Sequence, residues 1–223
     1  MADWTDNRLL ARLPIEDLAL LSPHLVATER SPGELLFDTT DTVDDVYFPL
    51  GAMVNLLFVF ENGSAVATSS VGRNGMISEK DKSNVRALVA IEGAIAQMPS
   101  RILAPFIAQR PAIADMWVQQ ADSLLSHTQI ISACNACHSN QARVCRSLLQ
   151  AQDCTGRDSI PLTQQFIADM LGIRRTSVTS VAATLQKEGV IRYFRGQIEI
   201  TDHERLQSLS CLCHGALTSL GSR

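Results

Sequence analysis

Across residues 162–202 the apolar positions change period twice. Ile167, Ala168 and Leu171 recur at helical spacing. Gly172 follows, where a helix ending in a left-handed cap wants a residue without a Cβ. Val178, Val181, Ala182 and Leu185 form a second helical stripe that stops at Glu188-Gly189. Residues 190–194 and 197–200 are short strand-forming runs around Arg195-Gly196, a turn signal. The spacing predicts a helix, a tight turn, a second helix and a two-stranded wing. Ala168 is small where the two helices would cross, and Val178 falls where the second helix buries its inner face. Arg174, Arg175, Thr176, Ser177, Thr179 and Ser180 are left as a polar outward surface. This is the geometry of a module that lays one helix in the DNA major groove. Arg reads a guanine edge with two bonds, while Ser and Thr bond phosphates or bases. Thr163 and Gln164, opening the first helix, and Arg195, at the wing turn, complete the candidate DNA-contacting set.

Upstream the pattern has other periods. Residues 5–28 read as short helices punctuated by Pro14 and Pro23. Residues 30–103 hold short apolar or alternating runs at 34–37, 46–49, 53–60, 64–70 and 86–98, separated by Gly and polar turns. Such spacing suggests a small antiparallel barrel or roll. From 105 to 136 the chain turns helical, and Ile113, Trp117, Gln120, Leu124, His127, Ile131 and Cys134 recur at alternating steps of four and three. That is the spacing of a two-stranded seam. A further helix is expected over 141–152, and 153–161 read as a polar turn.

Composition sharpens this picture. The 223-residue chain is 46% hydrophobic and 19% charged, as in folded globular proteins, and is long enough for two modest domains. Its net charge of -4 is unevenly placed. Residues 1–110 hold 14 acids and 9 bases, whereas residues 174–195 hold five bases and one acid. Phosphate contact depends on a local basic face, so the acidic total does not argue against DNA. No signal peptide or membrane-length apolar run stands out, and a cytoplasmic location is expected, with the six cysteines as reduced thiols. No catalytic motif surrounds the five histidines, and no enzyme activity is expected.

The order of parts, a β-roll, a long helix and a winged helix-turn-helix, resembles the Crp/Fnr family of bacterial transcription regulators. The likeness is strongest in residues 162–202 and extends to Ser31-Pro32-Gly33-Glu34-Leu35-Leu36-Phe37, similar to the family's opening turn and strand. It implies an α+β fold in three parts. Residues 1–110 would form an antiparallel, cyclic-nucleotide-binding-like jelly roll, 111–137 a dimerisation helix and 138–223 the winged helix-turn-helix DNA-binding domain. It implies a homodimer joined along the seam of Ile113, Trp117, Leu124, His127, Ile131 and Cys134. The expected partners are a palindromic double-stranded operator, RNA polymerase and a small-molecule effector. By the same resemblance Arg175 is a base-contacting residue. Thr176 and Ser180 stand where cyclic-AMP-responsive members carry Glu and Arg, which implies a different operator.

The effector loop also departs from the family pattern. Cyclic-nucleotide binders in the family use a Gly-Glu turn and an Arg followed by a hydroxyl residue. Here Gly75 precedes Met76, and Arg86 precedes Ala87. Arg73, Lys80, Lys82 and Arg86 remain as groups able to attract an anion, with Arg73 and Arg86 the effector-binding candidates. Cyclic AMP is not expected to bind in the family's manner. Cys134-Asn135-Ala136-Cys137-His138 has the CxxCH pattern of covalent haem attachment, and Cys211-Leu212-Cys213-His214 is a second thiol cluster. Cys134, Cys137, Cys211 and Cys213 are candidate metal ligands, although Cys-x-Cys is tighter than the usual spacing. The leading expectation is a DNA-binding regulator without a cofactor. A redox-, metal- or haem-sensing regulator and a constitutive DNA binder without effector are the alternatives.

Overall fold

The computed structural model describes residues 3–78 and 85–220. Two short helices, α1 (Arg8–Ala11) and α2 (Ile15–Leu21), lead into the strands β1 (Val26–Arg30), β2 (Leu35–Phe37), β3 (Asp45–Pro49), β4 (Met53–Val59), β5 (Ala65–Val71), β6 (Val85–Ile91) and β7 (Gly93–Pro99). Two antiparallel sheets result, one ordered β1-β7-β3 and the other β2-β6-β4-β5. Phe37, Val54, Val89 and Ile95 fill the space between them. The helices α3 (Ser100–Gln109) and α4 (Pro111–Cys137) follow. Leu103, Ile113 and Met116 join Leu10, Leu21, Phe48 and Met98 in a second core on the outer side of the three-stranded sheet. Asn7 sits fully buried at the head of α1, capping it and donating through Nδ2 to the carbonyls of Pro49 and Gly75, each at 2.9 Å.

The chain then forms α5 (Asn140–Thr155), β8 (Ser159–Ile160), α6 (Gln164–Leu171), α7 (Arg175–Lys187), β9 (Ile191–Phe194), β10 (Gln197–Ile200), α8 (His203–Leu209) and α9 (Cys213–Leu220). Their core is continuous with the outer face of the four-stranded sheet. Met53, Leu57, Ala67 and Ile91 pack in one cluster with Leu148, Leu149, Ile167, Ala168 and Leu185. The roll and the helix-turn-helix are therefore docked against each other.

Three expectations change. The run at 86–98 is two strands, because the chain turns at Glu92-Gly93 and passes from one sheet to the other. Gly93 has φ +154°, and a Cβ there would lie 2.6 Å from the Gly51 carbonyl carbon, so only glycine fits that corner. Residues 26–28, expected within a helical region, belong to strand β1 because β7 pairs with it from Val26↔Gln97 to Arg30↔Gly93. The turn expected at 153–161 contains β8, which pairs with β10 and makes the wing three-stranded. Two residues paired to a strand nearly forty positions away leave no periodic signal.

Candidate nucleic-acid interface

Local chemistry builds the helix-turn-helix. Thr163 caps α6 by accepting from the Phe166 N–H at 3.1 Å. Gly172 ends that helix at φ +61°, and the N–H of Ile173 returns to the Ala168 carbonyl at 3.0 Å. A Cβ on Gly172 would also come within 3.2 Å of Val66 in the roll. Ala168 is buried where α6 meets α7, and Val178, Ala182 and Leu185 bury the inner face of α7.

The opposite face of α7 is open. Arg174, Arg175, Thr176, Thr179 and Ser180 are exposed, and Ser177 is half-buried. Arg174 occupies the N-cap without a side-chain capping bond. The helix thus begins without a side-chain cap at two exposed arginines, Arg174 and Arg175, an arrangement that favours an anion. Thr179 and Gln164 bond each other, hydroxyl to amide oxygen, at 2.7 Å, which fixes the two helices across the turn. Thr163 and Gln164 thus act within the fold as cap and strut. The wing turn is a two-residue loop with positive φ at Arg195 and Gly196, as a tight hairpin requires. The guanidinium of Arg195 lies 5.0 Å above the ring of Phe194, which is largely exposed at the wing tip. In the sequence Phe194 carries only the signal of a strand former, because its partner across the turn is set by the hairpin.

The expected seam of α4 turns inward. Ile113, Ile131 and Cys134 are buried within their own chain, and Trp117 packs partly buried beside the second core. Leu124 packs against the inter-sheet core. Gln120 donates to the Met76 carbonyl at 2.7 Å, and His127 Nε2 lies 2.6 Å from the amide of Gln150. The four-three stripe is thus an intrachain contact, satisfied by the roll, α5 and α9. Val118 and Leu125, seven residues apart, are the large apolar side chains exposed on α4. Burial, assisted by the charge of Arg146, pulls His127 down to about 4, so the ring is neutral near pH 7.

Of the effector candidates, Arg86 is already paired. Arg86 makes a two-pronged pair with Asp38, at 2.9 and 2.8 Å. That pair holds the Asp38 carboxyl below its ordinary range and raises Arg86. Arg73 donates its backbone N–H to the Cys154 carbonyl, and its guanidinium lies against Gly156 at the junction with α5. Lys80 and Lys82 lie outside the described residues. A cleft of about 70 Å³ separates β5 from α4, α5 and α9, lined by Ser69, Ser70, Gln120, His127 and His214 among others.

The cysteine motif is split by the helix. Cys137 is exposed, whereas Cys134 is buried and lies 3.5 Å, sulfur to sulfur, from Cys211. His138 Nδ1 is 3.7 Å from the Cys213 sulfur. Burial, followed by the neighbouring thiols, pushes Cys213 up to about 12, and burial also raises Cys211. Of the CxxCH motif, Cys134 and His138 meet the second thiol pair, whereas Cys137 stands exposed.

Residues 142–209 match the Crp-like helix-turn-helix domain. No curated protein sequence matches the chain. Among solved structures, FixK2 from Bradyrhizobium japonicum is similar with a TM-score of 0.71 at 15% identity, covering 84% of this chain and 98% of that one. A Crp/Fnr-family transcriptional regulator from Thermus thermophilus has a TM-score of 0.66 at 21% identity, covering 83% and 98%. The c-di-GMP responsive global regulator CLP of Xanthomonas campestris has a TM-score of 0.66 at 14% identity, covering 84% and 99%. Residues 142–209 thus carry a Crp-like helix-turn-helix domain, and the chain as a whole shares the fold of these regulators.

Proposed function

We propose that the protein is a homodimeric, sequence-specific regulator that reads double-stranded DNA with α7 and does not use cyclic AMP in the family's usual way. The observation that carries the reading is the outward face of α7. Its uncapped N-terminus lies between Arg174 and Arg175, with Thr176, Thr179 and Ser180 exposed beyond. Arg175 is the base-reading residue, and the backbone N–H groups with Arg174 and Arg195 take phosphates. A palindromic operator follows from two copies related by a two-fold axis.

The exposed pair Val118 and Leu125 on α4 supports pairing of two copies along that helix. Leu125→Glu is expected to convert a dimer to a monomer by light scattering; an unchanged mass would remove this face from consideration. Because α6 rests on the four-stranded sheet, a change in the roll would reach α7 through that contact and alter the separation of the two recognition helices. The Asp38 pair that occupies Arg86 supports the exclusion of cyclic AMP. Calorimetric titration is expected to show no binding. Micromolar binding abolished by Arg86→Ala would overturn that exclusion.

Selection of bound duplexes from random DNA by the full-length protein tests the main reading. A palindromic consensus is expected. Recovery of no enriched sequence would contradict it.

A further inference from the structure

Four donors from two distant segments meet at the end of α4. Cys134 lies in its last turn and His138 just beyond it, four residues on and therefore on the same side. Cys211 and Cys213 come from the segment entering α9, where Leu212 between them is almost fully exposed and both cysteines turn inward. The three sulfurs and the imidazole nitrogen all lie within 4.8 Å of one another.

From these juxtaposed groups we infer that Cys134, His138, Cys211 and Cys213 form a mononuclear zinc site of the Cys₃His type. Metal–sulfur and metal–nitrogen bonds of about 2.3 and 2.0–2.1 Å in a tetrahedron place sulfurs about 3.8 Å apart, and sulfur and nitrogen about 3.5 Å apart. The Cys134–Cys211 separation of 3.5 Å and the Cys213–His138 separation of 3.7 Å match those edges. A cluster of several irons would need its ligands spread more widely than this. A Cys134–Cys211 disulfide would leave Cys213 and His138 converging on nothing. Zinc binding displaces the three thiol protons to solvent and takes up the neutral imidazole, leaving the site one negative charge. Arg143 supplies nearby positive charge, close enough to feel both Cys134 and Cys211.

Four protein ligands leave no open position, so the site is structural. It fastens α9 to the end of α4. Arg143 also donates to the carbonyl of Leu171 at 2.5 Å, so the metal site and the turn before α7 share one cation.

The test is elemental analysis of untagged full-length protein purified without chelator, combined with titration by Co²⁺ alone. One zinc per chain is expected, with the intense visible bands of tetrahedral cobalt and a sulfur-to-cobalt charge-transfer band. Cys213→Ser and His138→Ala should each lose the zinc and weaken the charge-transfer band. These two ligands are the more peripheral, so their replacement spares the buried sulfurs. Cys137→Ser, exposed and outside the set, should retain both zinc and band. Absence of zinc together with an absent cobalt spectrum would overturn the assignment. So would iron with acid-labile sulfide, or a Cys134–Cys211 disulfide in the intact mass.

Discussion

The outer face of α7 and the cysteine cluster beside α4 are built by opposite means. The recognition face comes from a single run of thirteen residues, and its key side chains stand in solvent. The cluster joins residues 77 positions apart, and two of its sulfurs are buried. One surface is positioned by the helix beneath it; the other exists only once α9 has folded back onto α4. Function that rests on a local frame can be altered without unfolding the protein, whereas function that rests on long-range closure cannot be separated from stability.

Substitutions on the two sides of α7 separate surface from frame most strongly. Leu185→Ala empties a fully buried position shared with α5 and the wing, and should cost about 2–5 kcal/mol of stability. DNA binding should fall with it, as denaturant titration and a binding assay at the same temperature would show. Arg175→Ala removes an exposed side chain and should weaken operator binding by roughly 1–3 kcal/mol, with discrimination relaxed at one base position. Its unfolding midpoint should not move. A destabilised Arg175→Ala, or a Leu185→Ala protein of full stability, would break the distinction.

The buried side of α4 should register acid. The folded His127 titrates near 4 and the unfolded one near 6.5. The unfolded chain therefore binds the extra proton first as pH falls. Stability should be unaffected above about pH 6.5 and decline by roughly 2–3 kcal/mol on the way to pH 4. Denaturant melts of wild type and His127→Gln at pH 7 and 4.5 check this, the wild type losing more. Smallest of the four, Thr163→Ala removes the α6 cap and should cost about 1 kcal/mol by the same measurement.

What the sequence revealed follows the same division. Ala168, Gly172, Val178 and the Arg195-Gly196 turn each encode their role within a few residues, so the helix-turn-helix and its wing were readable directly. The seam on α4 was not. A four-three repeat says that one face of a helix is covered, but not by what, and here the roll, α5 and α9 cover it. At Arg86 the same limit holds. Arg86 looks available until the fold brings Asp38, 48 positions earlier, against it. Among the cysteines, the CxxCH pattern drew attention to Cys137, while the structure selects its neighbour His138. The four-residue step from Cys134 to His138, one helical turn, was the signal that could have found it.

On the proposed reading, α7 recognises DNA through charge and base contacts together. The most direct measurement is the affinity of the full-length protein for its selected operator across a salt series, for wild type and Arg175→Ala. A steep loss of affinity with salt is expected for both proteins, with operator discrimination in the wild type that the variant loses at one position. A flat salt dependence, or identical discrimination by the two proteins, would contradict it.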